Sequence, residues 1–116
     1  MTNVSRETIL AAVDLKTETV AVPEWGGAVM LRGMTAGERD GFDQGVTDAR
    51  QAKEPTMVRA RLVALTAVDA TGVRLFTDAD VPALAAKSGA VLDRLFEIAA
   101  RLSGIGRRDA EELEKN

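Results

Sequence analysis

The chain contains no cysteine, no histidine and no tyrosine. Without cysteine there is neither a disulfide framework nor a thiolate nucleophile, which fits a reducing compartment. Without histidine the commonest general base is missing. No apolar run approaches the roughly 18 residues of a membrane span, and the first residues lack the apolar core of a secretory signal. An excess of basic charge is also absent. The net charge is −3. Residues 1–54 carry six basic and nine acidic groups, residues 55–116 nine of each, so neither half is a polycation. General nucleic-acid binding, which needs a basic surface to displace counterions, is disfavoured. What remains is ordinary globular material. The chain has 116 residues, 46% of them apolar and 28% charged, enough for one domain with a small core. No internal repeat or low-complexity tract interrupts it.

The pattern along the chain predicts an α+β domain in which a β-hairpin packs on about four to five helices. Ser5 is an N-cap for a short helix to about Ala12, with Glu7 near its positive end. Lys16 to Val22 alternates, with Val20 and Val22 on one face. Pro23 ends that strand, and Glu24-Trp25-Gly26-Gly27 forms the turn, the glycines accepting positive φ. Ala28 to Arg32 returns, with Val29 and Leu31 in phase. Thr35-Ala36-Gly37-Glu38 fits a capping box, opening a helix to about Arg50 whose apolar stripe is thin: Phe42, Val46 and Ala49. Gly37, Gly41 and Gly45 recur along it, each interior glycine costing about 0.5–1 kcal/mol relative to alanine. Pro55 suits the first turn of a helix from Thr56 to Val68. Met57, Val58, Leu62, Val63, Leu65 and Val68 cover most of its circumference, which marks the centre of the core.

Asp69-Ala70-Thr71-Gly72 reads as a turn and Val73 to Phe76 as a short extended segment. Asp80 caps a helix carrying Pro82 in its first turn and running to about Lys87. Ser88 caps the next, where Val91, Leu95, Ile98 and Leu102 make one stripe and Leu92, Phe96 and Ala99 widen it. Asp93, Arg94, Glu97 and Arg101 fall on its outer face, with Glu97–Arg101 an i,i+4 pair. Leu62, Leu65, Val91, Leu95, Phe96 and Leu102 are the expected core. Residues 1–106 form the expected globular domain, and residues 107–116 a charged, frayed C-terminal helix or tail.

Little in this pattern carries chemistry. The carboxylate pairs Asp78/Asp80 and Glu111/Glu112 read as turn and cap chemistry and as a solvated tail. The Asp69–Gly72 turn lacks the spacing and closing glutamate of a calcium loop. Gly26-Gly27 and Gly104-x-Gly106 lack the lysine and the strand-to-helix context of a phosphate loop. Arg59/Arg61 and Arg107-Arg108 are too sparse for a nucleic-acid stripe. No catalytic, cofactor or metal residue is assigned, and binding is the reading left. Trp25 beside two glycines is either an anchor for a partner or a lid over the small core; small domains usually bury a lone tryptophan. The glycine stripe is either a close-approach surface or a weak helix face. Met30, Met34 and Met57 are adaptable side chains that serve a binding surface or fill a core equally well.

Three stretches bear a family pattern: Val22-Pro23-Glu24-Trp25-Gly26-Gly27; Arg32 to Asp40, reading R-G-M-T-A-G-E-R-D; and Arg61-Leu62-Val63-Ala64-Leu65 followed by Val68-Asp69 and Leu75-Phe76-Thr77-Asp78. With the helical close Leu92–Leu102 and the ending Glu111 to Asn116, they resemble the tail assembly chaperones of phages with long non-contractile tails. The match runs from about Leu15 to Asn116 and is loosest from Gly45 to Met57. The resemblance implies a small α+β domain without an active site or cofactor. Such a domain binds the tape measure protein, holds it soluble and helps recruit tail tube subunits. It implies work in the host cytoplasm and absence from the finished virion. It also implies a longer form made by a ribosomal frameshift. Glu114-Lys115-Asn116 is compatible with the codons GAA-AAA-AAC, which contain a slippery heptamer. On this reading the partner-facing residues are Trp25, Met30, Met34, Gly37, Gly41 and Gly45, and self-association stays open. No nucleic acid or membrane is an expected partner. A structural tail or head-completion subunit is the alternative class, and a small DNA-binding regulator a more remote one.

Overall fold

The alternation between Lys16 and Arg32 becomes an antiparallel hairpin in the computed structural model, which describes residues 1–115. Strand β1 (Thr17–Val22) pairs with β2 (Gly27–Arg32) from Thr17↔Arg32 to Val22↔Gly27. Val20, Val22 and Leu31 are buried beneath it. Before it stands α1 (Arg6–Ala11), capped as expected by Ser5, whose hydroxyl accepts from the Thr8 N–H, but with no buried residue. After it come α2 (Ala36–Gln51), α3 (Val58–Thr66), β3 (Ala67–Val68), α4 (Val81–Ala85), α5 (Gly89–Leu102) and α6 (Arg107–Glu114). The architecture is α+β, as the pattern predicted, with a third strand that the pattern did not announce.

That strand changes the end of the central helix. The apolar run from Thr56 to Val68 is not helical throughout. It stops at Thr66, and Ala67 and Val68 turn extended to pair with Leu31 and Met30 on the open side of β2. The hairpin leaves a row of N–H and C=O groups on that side, and a buried strand edge must be paired. Two residues suffice, supported by a single bridge from Val68 to Arg74. The Thr66 hydroxyl, fully buried, donates back to the Leu62 carbonyl at 2.8 Å and so leaves no orphan at the transition.

Helix α3 is buried almost all round and packs against α2, α4 and α5. On α2 the buried residues are Phe42, Val46 and Ala49, the thin stripe of the sequence. On α5 they are Val91, Leu92, Leu95, Phe96, Ala99 and Ala100, while Ile98 and Leu102 are only half-buried. The buried face is therefore rotated toward the residues expected merely to widen it. Of the expected core, Leu62, Leu65, Val91, Leu95 and Phe96 are buried and Leu102 sits at the rim. Helix α6 lies against α3 and α5, with Ala110 and Leu113 half-buried. Asn116, the last residue of the frameshift tripeptide, lies outside the described residues.

Two local expectations are corrected. Asp80 holds the N-cap position of α4 with Pro82 in the first turn, but its side chain does not cap that helix: the carboxylate accepts from the Thr77 N–H at 2.8 Å and closes a capping box over a 3-10 turn, Asp78–Asp80. Arg101 pairs not with Glu97 but with Glu18 of β1, at 2.8 Å. An i,i+4 pair on a helix contributes only about 0.2–0.5 kcal/mol, so a carboxylate from a packed neighbour readily displaces it. Along the same outer face, Asp93 pairs with Arg59 of α3 and Arg94 with Glu24 of the hairpin turn. Residues that the sequence gives to water thus join elements.

The connection from α2 to α3 contains two non-glycine residues in the left-handed region, Lys53 at φ 57° and Met57 at φ 48°. They bracket Pro55 and reverse the chain within a few residues. Met57 stands at the N-terminus of α3 without offering it a side-chain cap.

Candidate partner-binding surface

The hairpin turn holds the only tryptophan. Pro23 to Trp25 form a 3-10 turn closed by Gly26 at φ 78°, whose N–H donates to the Pro23 carbonyl at 3.0 Å. That φ is one a β-carbon resists, so glycine is favoured there. Glu24 ties the turn to α5 by a two-pronged contact with Arg94, at 3.0 and 3.2 Å. The Arg94 guanidinium holds the Glu24 carboxyl below its ordinary range. Trp25 itself remains 37% exposed. It is not sealed over the core, and it stands at an anchored tip.

The other candidates are scattered. Met30 is half-buried at the centre of the sheet, between Thr19 and Val68. Met34 is only 7% exposed and belongs to the core. Gly37 and Gly41 are exposed on α2, with nothing near the place of a β-carbon. Gly45 is different: Arg61 lies across it, with Nη1 2.9 Å from that place. The stripe is thus open at two positions and roofed at the third. Trp25 and the start of α2 lie at opposite ends of β2, about 20 Å apart for a six-residue strand. The six residues are not brought together: Trp25 stands at the hairpin tip, Met30 at mid-sheet, Gly37 and Gly41 on the open face of α2, Gly45 beneath Arg61 and Met34 in the core.

A largely buried ion pair fastens the end of β2 to the first turn of α2. Arg32 grips Glu38 with Nη1 on Oε1 at 2.8 Å and Nη2 on Oε2 at 3.0 Å, and Nη1 also donates to the Gly33 carbonyl at 2.9 Å. Glu38 at the same time accepts from the Thr35 N–H at 2.9 Å, closing the capping box. The pair is largely withdrawn from water, with side-chain exposures of 14% and 20%. The Arg32 guanidinium, aided by the Thr35 N–H, holds the Glu38 carboxyl below its ordinary 4.5 against the opposing pull of burial. Between the two residues, Gly33 passes so close to α5 that a β-carbon would stand 2.4 Å from the Leu102 carbonyl oxygen. The next N–H, of Met34, donates to the Ser103 hydroxyl at 3.0 Å.

One apolar feature escaped the sequence reading. Val4, Ile9, Leu10 and Val13, in and around α1, are 62%, 58%, 67% and 97% exposed. Their signal in the sequence was the ordinary one of a short amphipathic helix, and nothing local says that its apolar side finds no core.

The acidic residues weighed as catalytic or calcium-binding candidates are engaged in structure. Asp80 caps, and Asp78 pairs with Arg74 at 3.2 Å. Glu111 and Glu112 pair with Arg107 and Lys115 at 3.5 and 3.6 Å. Asp69 accepts from the Thr71 hydroxyl and from the Thr71 and Val73 N–H groups, an Asx turn that holds its carboxyl low. Among the described residues no group of three acidic side chains could hold a metal ion, and no helix is long and apolar enough to cross a membrane.

The molecule is a small α+β domain with many of its charges tied into caps, turns and ion pairs, and with apolar side chains left exposed at a turn and an arm. The family model described as phage tail assembly chaperone matches residues 5–116, and the chain belongs to that family. The tail assembly chaperone of bacteriophage HK97 is similar in fold. The two are 22% identical, superpose with a TM-score of 0.60, and match over 83% of this chain and 90% of the other. No curated protein matches the chain. The resemblance read from the hairpin and the capping box led to the right family, a chaperone of phage tail assembly with a non-enzymatic role.

Proposed function

We propose that this chaperone binds the tape measure protein of its phage, keeps it soluble and helps recruit tail tube subunits while the tail is built. It does so in the host cytoplasm and leaves before the virion is finished. Family membership over residues 5–116 is the observation that carries this reading. The surface is consistent with it: a long helical apolar partner needs cover, and the domain offers an anchored tryptophan, a half-buried methionine and an apolar arm. A minor longer form, made by frameshifting at the end of the gene, adds a second binding module. It raises the effective concentration of tube subunits at the tape measure.

Co-expression tests the central claim. The tape measure protein should be insoluble alone, soluble with the wild-type chain, and much less so with Trp25→Ala. Tape measure protein that stays insoluble with a well-folded, abundant wild-type chain would refute it. Mass spectrometry of purified particles separates a departing chaperone from a structural subunit, which would remain at a fixed copy number. The codons for Glu114-Lys115-Asn116 decide the longer form: GAG-AAG-AAT there rules it out at this position.

A further inference from the structure

Helix α6 is built against its own dipole. Arg107 and Arg108 open its first turn, at the positive end, while Glu112 and Glu114 stand in its last turn, at the negative end. Its internal pair, Arg107 to Glu111 at 3.5 Å, runs in the weaker direction, basic before acidic. Gly106 gives it no side-chain cap, and eight residues are too few for a helix to hold alone. What seats it is tertiary: Ala110 and Leu113, both half-buried, and the ion pair of Glu114 with Arg59 of α3, at 3.1 Å. The seat is loose. A cleft of about 760 Å³ runs between α5 and α6 over Phe96, Ala100 and Ile105, all three buried. Another, of about 480 Å³, borders the opposite flank of α6 beside Arg39 and Arg50 of α2.

We propose that α6 is a removable cover, and that the groove it occupies against α3 and α5 takes an amphipathic helix of another protein in its place. The cover itself shows what fits. Ala110, Leu113 and Glu114, at i, i+3 and i+4, form one face, so the groove takes a small residue, a leucine and then a carboxylate. Asp93 of α5 also pairs with Arg59, so the guanidinium stays in position when Glu114 leaves and exchanges one carboxylate for another. That charge selects an acidic helix over a basic one. The exchange is close to balanced, because the incoming helix restores each contact that α6 gives up. A longer helix, capped and with its charges along its dipole, gains in addition what α6 forfeits, and larger side chains fill the cleft over Phe96. The requirements of the groove do not depend on the tape measure protein being the partner.

The test uses the full chain and a fluorescein-labelled probe helix of about 18 residues, long enough to hold its shape in water, with alanine, leucine and glutamate at the Ala110, Leu113 and Glu114 spacing. A cover open about one-tenth of the time weakens binding about tenfold. Fluorescence anisotropy should therefore show the probe binding Leu113→Asp, which unseats α6, about tenfold or more tightly than it binds the wild-type chain. Glu114→Lys, which turns α6 away from Arg59, should move the affinity the same way and keeps the test valid should the first variant misfold. Lysine in place of the probe's glutamate should weaken binding about threefold, and Arg59→Ala should erase that preference. In the wild-type chain the amides of α6 should exchange with solvent about tenfold or more faster than those of α5. Equal binding to the wild type and both variants, no binding to any of them, or α6 amides as protected as those of α5 overturns the proposal.

Discussion

Replacing Gly33 by alanine should unfold this protein more effectively than its size suggests. The new β-carbon would stand 2.4 Å from the Leu102 carbonyl oxygen and 3.1 Å from its carbonyl carbon, whereas ordinary contact begins near 3.4 Å. Both sides of the clash are backbone, so no side chain can swing away. The junction of β2 with α5 must widen by about 1 Å. It is held by the Gly33–Lys16 ladder bond on one side and the Met34–Ser103 bond on the other, both 3.0 Å. Overpacking of a rigid site costs about 1–3 kcal/mol, and stretching one buried hydrogen bond adds about 1 kcal/mol. A loss of about 3 kcal/mol is expected, or about 12 °C in melting temperature for a domain near this size. Gly41→Ala is the internal control. It makes the same chemical change on the open face of α2, where a β-carbon meets nothing, and should stabilise by about 0.5–1 kcal/mol. Urea unfolding followed by circular dichroism reads both. A Gly33→Ala loss under about 0.5 kcal/mol would show that the junction yields freely and that the close approach constrains nothing.

Leu95 is fully buried on α5, and Leu95→Ala should cost about 2–5 kcal/mol in the same assay. A near-neutral result would place the core on another face. Stability should also fall in acid through Glu38. Its folded pKa lies below the ordinary 4.5, so its contribution is complete above that value and is lost as pH falls through the folded pKa. Glu38→Gln should be less stable than wild type at neutral pH, and the difference should shrink as pH falls below the ordinary 4.5 and through the lowered folded pKa. A gap that stays constant across the titration would mean that the fork with Arg32 contributes packing rather than charge.

Much of the fold was legible because its signals are local. The alternation of Val20 and Val22, the glycine after Trp25 and the Thr35–Glu38 box each act within a few residues, and each appears where it was expected. What was not legible depends on distant partners. Ala67 and Val68 leave their helix only because β2 presents an unpaired side. Arg101 abandons Glu97 because Glu18 arrives from β1. Gly33 was visible within a family pattern, but its reason lies at Leu102, on another element. The candidate site was half legible. Trp25 announced itself by rarity; Met34 could be sorted into the core only by the structure; and the arm around α1 was hidden because its apolar side chains look like any others until the core is seen to be complete without them.

Lys53 and Met57, held left-handed without glycine, bear on the order in which the molecule comes apart. Each such residue carries about 1–2 kcal/mol of local strain, which returns when the joint straightens. Helix α2 reaches the body through this joint on one side and through the Arg32–Glu38 grip on the other, with three buried side chains and three glycines between. Its detachment therefore recovers strain while giving up few contacts. A swing of α2 that leaves α3 and α5 packed would return that strain at the cost of uncovering Phe42, Val46 and Ala49. Phe42 and Val46, 1% and 2% exposed at rest, form the apolar face that such a swing would bring to the surface.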